Sequence, residues 1–425
     1  MDANAVIKEL AVAARAAAAM LAQTPGRRRD AALIACAQAI RARKNDLQAA
    51  NAKDLARSEE FGLSDAMVDR LRLTDARVEG MATALEQIAA QVDPVGQTLA
   101  GYNRPNGLRI EKRRVPIGVI GIIYESRPNV TTDAAGLCLK AGNACILRGG
   151  KEAIHSNLAI AAALRDALDA AGLPRAAVTV IDNPDRSLVP AMATAEGLID
   201  LIIPRGGETL IRAVAQAATI PVIKHYAGNC HVYVHGEADL EMASQIVLNA
   251  KCQRPGVCNA AETLLVDAAV AEEFLPAVAA DLLTAGVQLR CDEPARKILA
   301  ASDLDAENVI AAEEADWDTE YLDMILAVKV AANLDDAVAH INRHGSGHTE
   351  AIVTRSIEAA ERFVAGVDSS SVMVNASTRF SDGGEYGLGA EVGISTDKLH
   401  ARGPMGAEDL TTYKWIVTGS GHLRT

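Results

Sequence analysis

From residue 3 to about 91, apolar side chains recur every three or four positions in a background of Ala, Leu, Arg and Glu. That spacing predicts a run of helices, each with one buried stripe. The Ala-rich segment from Val6 to Gln23 carries Lys8, Glu9 and Arg15, so it predicts an amphipathic helix and neither a secretion signal nor a membrane span. The pattern breaks at Asp93-Pro94-Val95-Gly96 and turns at Asn103-Arg104-Pro105-Asn106-Gly107. A heavily charged strand over 108–114 follows. Charge on a strand blunts an exposed edge. It equally suits an arm offered to another subunit, and the sequence leaves both readings open.

Beyond residue 115 the period changes. Short apolar runs at 117–123, 144–147, 178–181 and 198–203 predict buried strands. Helical spacing over 132–141, 153–170 and 208–217 alternates with them. Such alternation implies crossover units, a parallel sheet and helices on its faces. A second series restarts after a strand at 231–234. It runs through a helix at 240–251, a strand at 263–266 and further elements at 324–330, 334–341, 351–354 and 372–375. From Phe380 the chain is Gly-rich, and 410–417 predicts a last strand. The fold class expected is α/β, with two domains built on mostly parallel sheets.

Composition narrows the function classes. At 425 residues the chain exceeds one ordinary core, so two or three domains are expected. Hydrophobic residues make up 49% and aromatics only 3%, so the core must be built from Ala, Val, Leu and Ile. A net charge of −13 argues against a nucleic-acid surface, which needs a basic face. The cysteines show no framework spacing, no CxxC pair and no His/Cys zinc spacing. A reducing, cytoplasmic setting and no metal site are the expectations. No apolar run is long enough to cross a bilayer.

Candidate chemistry centres on Gln253-Arg254-Pro255-Gly256-Val257-Cys258-Asn259-Ala260. Pro255 and Gly256 stop the preceding helix and turn the chain. Cys258 is thereby placed at an element boundary, where reactive side chains tend to be presented. Lys251 and Arg254 lie just upstream, and nearby cations favour the nucleophilic thiolate. A buried structural thiol is the competing reading; Cys252 is read as such a packing residue. Upstream, Gly118-Val119-Ile120-Gly121 leads into Ser126-Arg127-Pro128-Asn129. Asn129 falls near a helix start, where its amide either caps the helix or donates to a developing oxyanion. Leu147-Arg148-Gly149-Gly150-Lys151 closes a strand and opens a helix, a setting suited to phosphate. Two cations there suit a 2′-phosphorylated nucleotide. Pro204-Arg205-Gly206-Gly207 repeats the arrangement. A solvated turn is the alternative for either, and no GxGxxG fingerprint is present.

His225, before Tyr226-Ala227-Gly228-Asn229, suits a base, a ligand contact or a buried hydrogen-bonded histidine. His340, His344 and His348 are evenly spaced, but Gly345 and Gly347 interrupt the helix that would align them. Asn375-Ala376-Ser377-Thr378-Arg379-Phe380 follows a strand and precedes Gly383, Gly384, Gly387, Gly389 and Gly393. Such a loop either wraps a small ligand, with Ser377, Thr378 and Arg379 suited to a carboxylate, or is a surface turn.

Together these segments resemble the aldehyde dehydrogenase superfamily over nearly the whole chain. Within it they resemble the branch that reduces γ-glutamyl phosphate in proline biosynthesis. The resemblance is carried by Pro116-Ile117-Gly118-Val119-Ile120-Gly121, Glu125-Ser126-Arg127-Pro128-Asn129-Val130, Leu147-Arg148-Gly149-Gly150 and the cysteine loop. It continues in the run 375–380 and in Gly387-Leu388-Gly389-Ala390-Glu391-Val392-Gly393, which extends to Leu399-His400-Ala401-Arg402-Gly403-Pro404. It implies that residues 1–95 and 116–230 form a cofactor-binding domain and 231–400 a catalytic domain carrying the cysteine loop. Residues 96–115 and 401–425 are then an oligomerisation arm and tail. It implies Cys258 as nucleophile and Asn129 as oxyanion donor. The implied cofactor is NADP(H), held by Arg148, Gly149, Lys151, Arg205, Gly206, Gly207 and Glu320. The substrate, glutamyl phosphate, is then met by Arg127, Ser377, Thr378 and Arg379. A homo-oligomer and a transient contact with glutamate 5-kinase are also implied.

One departure is informative. Where thioester-hydrolysing members of the superfamily carry a glutamate base, this chain has His225. Losing the carboxylate suits an acyl phosphate route, because hydrolysis would waste the activated acid. Two rival readings share part of the pattern. One is a coenzyme A-acylating aldehyde dehydrogenase. The other is an acyltransferase or hydrolase pairing Cys258 with His225, which needs no nicotinamide.

Overall fold

The computed structural model describes residues 2–125, 127–302, 304 and 306–424. Ser126 of the motif at 125–130 lies outside the described residues. By packing, the chain divides into two units, one of residues 1–224, 387–393 and 405–425, the other of 225–386 and 394–404.

The first unit opens with the helices Ala3–Leu21, Gly26–Ala42, Lys44–Leu55, Asp65–Leu71 and Asp75–Ala90, where the apolar spacing predicts them. Asp2, Ser64 and Thr74 fix three of the starts by accepting a backbone N–H from the first turn. The strands Val119–Tyr124, Ala144–Arg148, Val178–Val180 and Leu201–Arg205 form a parallel sheet, with Val119–Tyr124 between Ala144–Arg148 and Leu201–Arg205. Every residue of Val119–Tyr124 is buried, which is why it reads as one continuous apolar run.

The charged strand is Arg109–Pro116, and its position corrects the edge reading. It is the middle strand of a separate antiparallel sheet, between Thr98–Asn103 and Thr411–Thr418. Four of its five charges are matched within that unit. Arg113 pairs with Glu111 at 2.7 Å, Arg114 pairs with Glu408, and the Lys112 ammonium lies 3.5 Å from the Tyr413 ring centroid. Exposed apolar side chains lie on its two neighbours, at Leu99 and Tyr102 of Thr98–Asn103 and at Tyr413, Trp415 and Val417 of Thr411–Thr418.

The second unit is a seven-stranded parallel sheet. Its spatial order is Val309–Ala311, Gln288–Cys291, Ile325–Ala331, Ala261–Asp267, Cys230–Val234, Thr349–Val353, Ser371–Val374. Its core is aliphatic as composition requires, with Val232, Leu264 and Val328 of the sheet packed against Val247, Leu275 and Val278 of the helices. The helix Leu240–Cys252 starts on Asp239, whose carboxylate accepts the Met242 N–H at 3.1 Å, and stops ahead of Pro255. Among the described residues no helix is long and apolar enough to cross a membrane.

Candidate active site

Three neighbouring parallel strands of the second unit begin side by side. Cys230 pairs with Ala261, and His231 with Glu350. The segments entering these strands carry Cys258, His225 and His348. Adjacent strands stand about 4.8 Å apart, so the three loops converge at the amino ends of the sheet. Cys258 Sγ and one nitrogen of each ring lie within 4.8 Å of one another. These donors are remote in the chain and meet only through strand order, so no local His/Cys spacing announces them.

Cys258 is half-buried and makes no disulfide. Its loop is clamped through the backbone. The Cys230 thiol donates to the Cys258 carbonyl at 3.2 Å. Burial pushes that thiol well above its ordinary range, which keeps it protonated and a donor. Gly228 packs on the same carbonyl so closely that a Cβ would stand 1.8 Å from its oxygen. Glu320 Oε1 accepts the Gly228 N–H at 2.9 Å. Asn259 donates to the Ser381 carbonyl at 2.9 Å.

His225 is half-buried, with Nδ1 2.9 Å from the Ile394 carbonyl. A carbonyl only accepts, so in the neutral ring Nδ1 carries the proton and Nε2 the lone pair. His348 is fully buried, with Nδ1 2.8 Å from the Thr349 hydroxyl and 3.7 Å from Cys230 Sγ. His340 and His344 end the helix Leu334–His344, and the glycines after it part His348 from them.

Lys251 departs from the sequence reading. Its ammonium is fully buried 2.6 Å from Glu262 Oε2, itself fully buried, so it is not an exposed cation beside the thiol. Burial pushes the Glu262 carboxyl up to about 7, with Lys251 pulling the other way. Removing Lys251 leaves a buried carboxylate without its cation, held only by the Leu322 N–H at 3.2 Å. Lys251→Ala is expected to lower stability by about 3–5 kcal/mol, read from the urea midpoint. The pair Lys251→Met with Glu262→Leu should recover most of that loss.

Arg379 Nε donates to Gln253 Oε1 at 2.8 Å, which ties the 375–380 loop to the cysteine loop. Burial first, and the Arg254 guanidinium second, lower the Arg379 pKa, so two cations share this region. Ser377 Oγ accepts the Arg379 N–H at 3.3 Å and caps the short helix Thr378–Phe380. Thr378 is fully buried.

The remaining candidates belong to the first unit. Ile123 pairs with Arg148 and Tyr124 with Arg205, so both arginines stand at the carboxyl ends of parallel strands. That is the end at which open α/β sheets bind ligands. Arg148 donates to the Pro184 carbonyl at 2.9 Å and to the Gly149 carbonyl at 3.2 Å. A Cβ on Gly149 would stand 2.1 Å from Asn157 Nδ2. The Lys151 ammonium lies 4.8 Å from the Phe61 ring centroid. Arg205 pairs with Glu391 at 3.3 Å, and the Gly207 N–H donates to Glu125 Oε2 at 3.1 Å. Gly206 faces the same carboxylate. Both turns have a carboxylate against them, Glu125 at Gly206 and Glu152 at Gly150, where a Cβ would stand 2.0 Å from Glu152 Oε1.

Asn129 is the first residue of the helix Asn129–Lys140, and Pro128 is its cap. Its Nδ2 donates to Asp133 Oδ2 at 3.0 Å, which takes one of the two amide hydrogens. Arg127 is half-buried, and its carbonyl accepts the Val130 N–H at 3.0 Å. Burial pushes the Asp133 carboxyl from 3.8 up to about 6. The native chain then holds a proton that the unfolded chain has lost. This contribution to stability is present below pH 3.8 and is lost as pH rises through about 6. Asp133→Asn is expected to flatten that part of the curve, read as thermal midpoint against pH. An unchanged profile would contradict the assignment.

A family model for the aldehyde dehydrogenase family matches residues 2–297. The chain belongs to the aldehyde dehydrogenase family. Within this family it is 52% identical over 424 residues to the γ-glutamyl phosphate reductase of Parvibaculum lavamentivorans, covering 100% of this chain and 98% of the relative. It is 54% identical over 418 residues to that of Geobacter metallireducens, covering 98% of each. The crystal structure of γ-glutamyl phosphate reductase from Thermotoga maritima matches with a TM-score of 0.94 at 46% identity, over 98% of this chain and 99% of that one. The α/β class expected from the sequence is the aldehyde dehydrogenase fold.

Sequence reasoning missed Gly228, Cys230 and His348. A glycine just before a strand was the visible hint for the first. Nothing in local spacing marks Cys230, and the even spacing of His348 with His340 and His344 points to a helix face that it does not share.

Proposed function

We propose that this chain reduces L-glutamyl 5-phosphate to L-glutamate 5-semialdehyde and phosphate through a thioester on Cys258, in proline biosynthesis. The observation that carries the reading is a half-buried cysteine on a clamped loop, in a chain matching γ-glutamyl phosphate reductases end to end. The Cys258 thiolate attacks the γ-carbonyl. Asn129 and the Cys258 backbone N–H are read as donors to the oxyanion. As the oxyanion collapses, the bond to phosphate breaks and the acyl group stays on sulfur. A nicotinamide, when bound in reduced form, supplies the hydride. The resulting hemithioacetal on Cys258 then expels the thiolate and frees the aldehyde. No water needs activating, which suits His225 in place of a carboxylate base.

Arg148 and Lys151 support NADPH over NADH, since two cations suit a 2′-phosphate. Gly149, Arg205, Gly206, Gly207 and Glu320 complete the proposed cofactor contacts. Arg127, Ser377, Thr378 and Arg379 are the proposed substrate contacts, with Arg379 supported by its tie to the cysteine loop. The first unit then serves the cofactor and the second the chemistry. A homo-oligomer through Thr411–Thr418, a cytoplasmic setting and a brief contact with glutamate 5-kinase belong to the same reading.

Steady-state assays in the oxidative direction test it. Inorganic phosphate should sustain turnover of the semialdehyde with NADP+, and NAD+ should serve roughly tenfold less well. Turnover sustained by coenzyme A instead selects the coenzyme A-acylating reading. Acyl transfer without any nicotinamide selects the hydrolase reading.

A further inference from the structure

We propose that Cys258, His225 and His348 form a reversible Zn2+ site that occupies the nucleophile. The inhibitory consequence rests on the reading of Cys258 as nucleophile, while the site itself rests on geometry. The three donor atoms lie within 4.8 Å of one another. Zinc bond lengths place neighbouring ligand atoms of a tetrahedron roughly 3.4–3.6 Å apart, so small side-chain rotations close the site. One thiolate and two imidazoles form a donor set that zinc takes in tetrahedral sites, with a fourth position left for water.

The surroundings are those of a prepared site. A metal-binding histidine commonly donates its other ring N–H to a carbonyl, which fixes the tautomer. His225 does so through Nδ1, 2.9 Å from the Ile394 carbonyl. His348 engages the Thr349 hydroxyl through Nδ1 at 2.8 Å. The cysteine loop is fixed by the Cys230 thiol on the Cys258 carbonyl. The ligands precede three adjacent strands, so the sheet sets their spacing. The proposed reduction gives His348 no task, yet this imidazole is fully buried beside the nucleophile.

On binding, the Cys258 thiol proton passes to solvent and zinc takes its place on sulfur. A thiolate so held does not attack a carbonyl, and an acylated sulfur does not bind the metal. Zinc and acyl phosphate therefore exclude each other.

The test uses Co2+ as a spectroscopic probe on the full chain, without substrate or nicotinamide. A thiolate-to-cobalt charge-transfer band should appear, saturate at one ion per chain and vanish on adding Zn2+. Cys258→Ser should remove the band. His348→Gln and, separately, His225→Gln should each weaken Zn2+ affinity at least about tenfold. Zinc inhibition of turnover should weaken by the same factor in His348→Gln. If the buried variant does not fold, His225→Gln at the half-buried position carries the test. A band surviving Cys258→Ser, or unchanged affinity in the folded histidine variants, overturns the site. Binding is read without turnover, so a zinc-binding chain that does not reduce glutamyl phosphate sinks the proposed function alone. A working reductase with no band sinks the zinc site alone.

Discussion

Cys258→Ala is expected to lower nicotinamide oxidation with L-glutamyl 5-phosphate by at least about 10³-fold, because it removes the atom that carries the acyl group. The clamps on this loop run through the Cys258 carbonyl, the Gly228 backbone and the Asn259 side chain, none of which involves Sγ. Stability should therefore stay within about 0.5 kcal/mol of the parent, and lost turnover reports chemistry. Cys258→Ser keeps the shape but offers an alcohol that nothing in the proposed route deprotonates, so it should be nearly as inactive. A second readout isolates the first half-reaction. Mixed with acyl phosphate and no nicotinamide, the parent should release a burst of phosphate close to one equivalent per chain, and both variants none. Retained turnover in Cys258→Ala, in a folded chain, would remove the sulfur from the mechanism.

The fold was legible in the sequence wherever one local period decides an element. The N-terminal helices and the alternation after residue 115 are of that kind. The helix Ala271–Thr284 was not read, and it carries Pro276 inside it, a residue that ordinarily ends a helix. The strands Gln288–Cys291 and Val309–Ala311 are short and only partly buried, so they lack the continuous apolar run that marks their neighbours. The charged strand Arg109–Pro116 was legible as a strand but not as the middle of a sheet. Its partner Thr411–Thr418 comes from the far end of the chain, and an edge is defined only by who pairs with whom.

The site divides the same way. The Pro/Gly loop announces Cys258, and glycines after strands announce Arg148 and Arg205. Direction is not announced. Lys251 points inward to Glu262, and Arg205 turns to Glu391. His348 reaches the cysteine because two intervening pairings bring three strands together. Charge and spacing along a chain say which groups exist; strand order says which of them meet.

Gly228→Ala should damage the protein as severely as loss of the sulfur, by a different route. A Cβ at this position would stand 1.8 Å from the Cys258 carbonyl oxygen, 2.5 Å from its carbon and 2.6 Å from its Cα. These are backbone atoms with no rotamer to retreat to, so the two segments must part. Parting them stretches the Gly228 N–H bond to Glu320, now 2.9 Å, and the Cys230 bond to the Cys258 carbonyl, now 3.2 Å. Overpacking of this kind and a lost bond to a charged group together predict about 3–5 kcal/mol of destabilisation. In whatever fraction folds, a displacement of the sulfur by about an ångström should lower turnover roughly 10²-fold. Urea unfolding and the phosphate burst separate the two effects. Gly80→Ala is the control: it lies inside the helix Asp75–Ala90 with nothing within 4 Å of the added Cβ. It should stabilise by about 0.5–1 kcal/mol. A Gly228→Ala chain with parental stability and a parental burst would mean that this segment does not pin the cysteine loop, and the positioning of the nucleophile would need another cause.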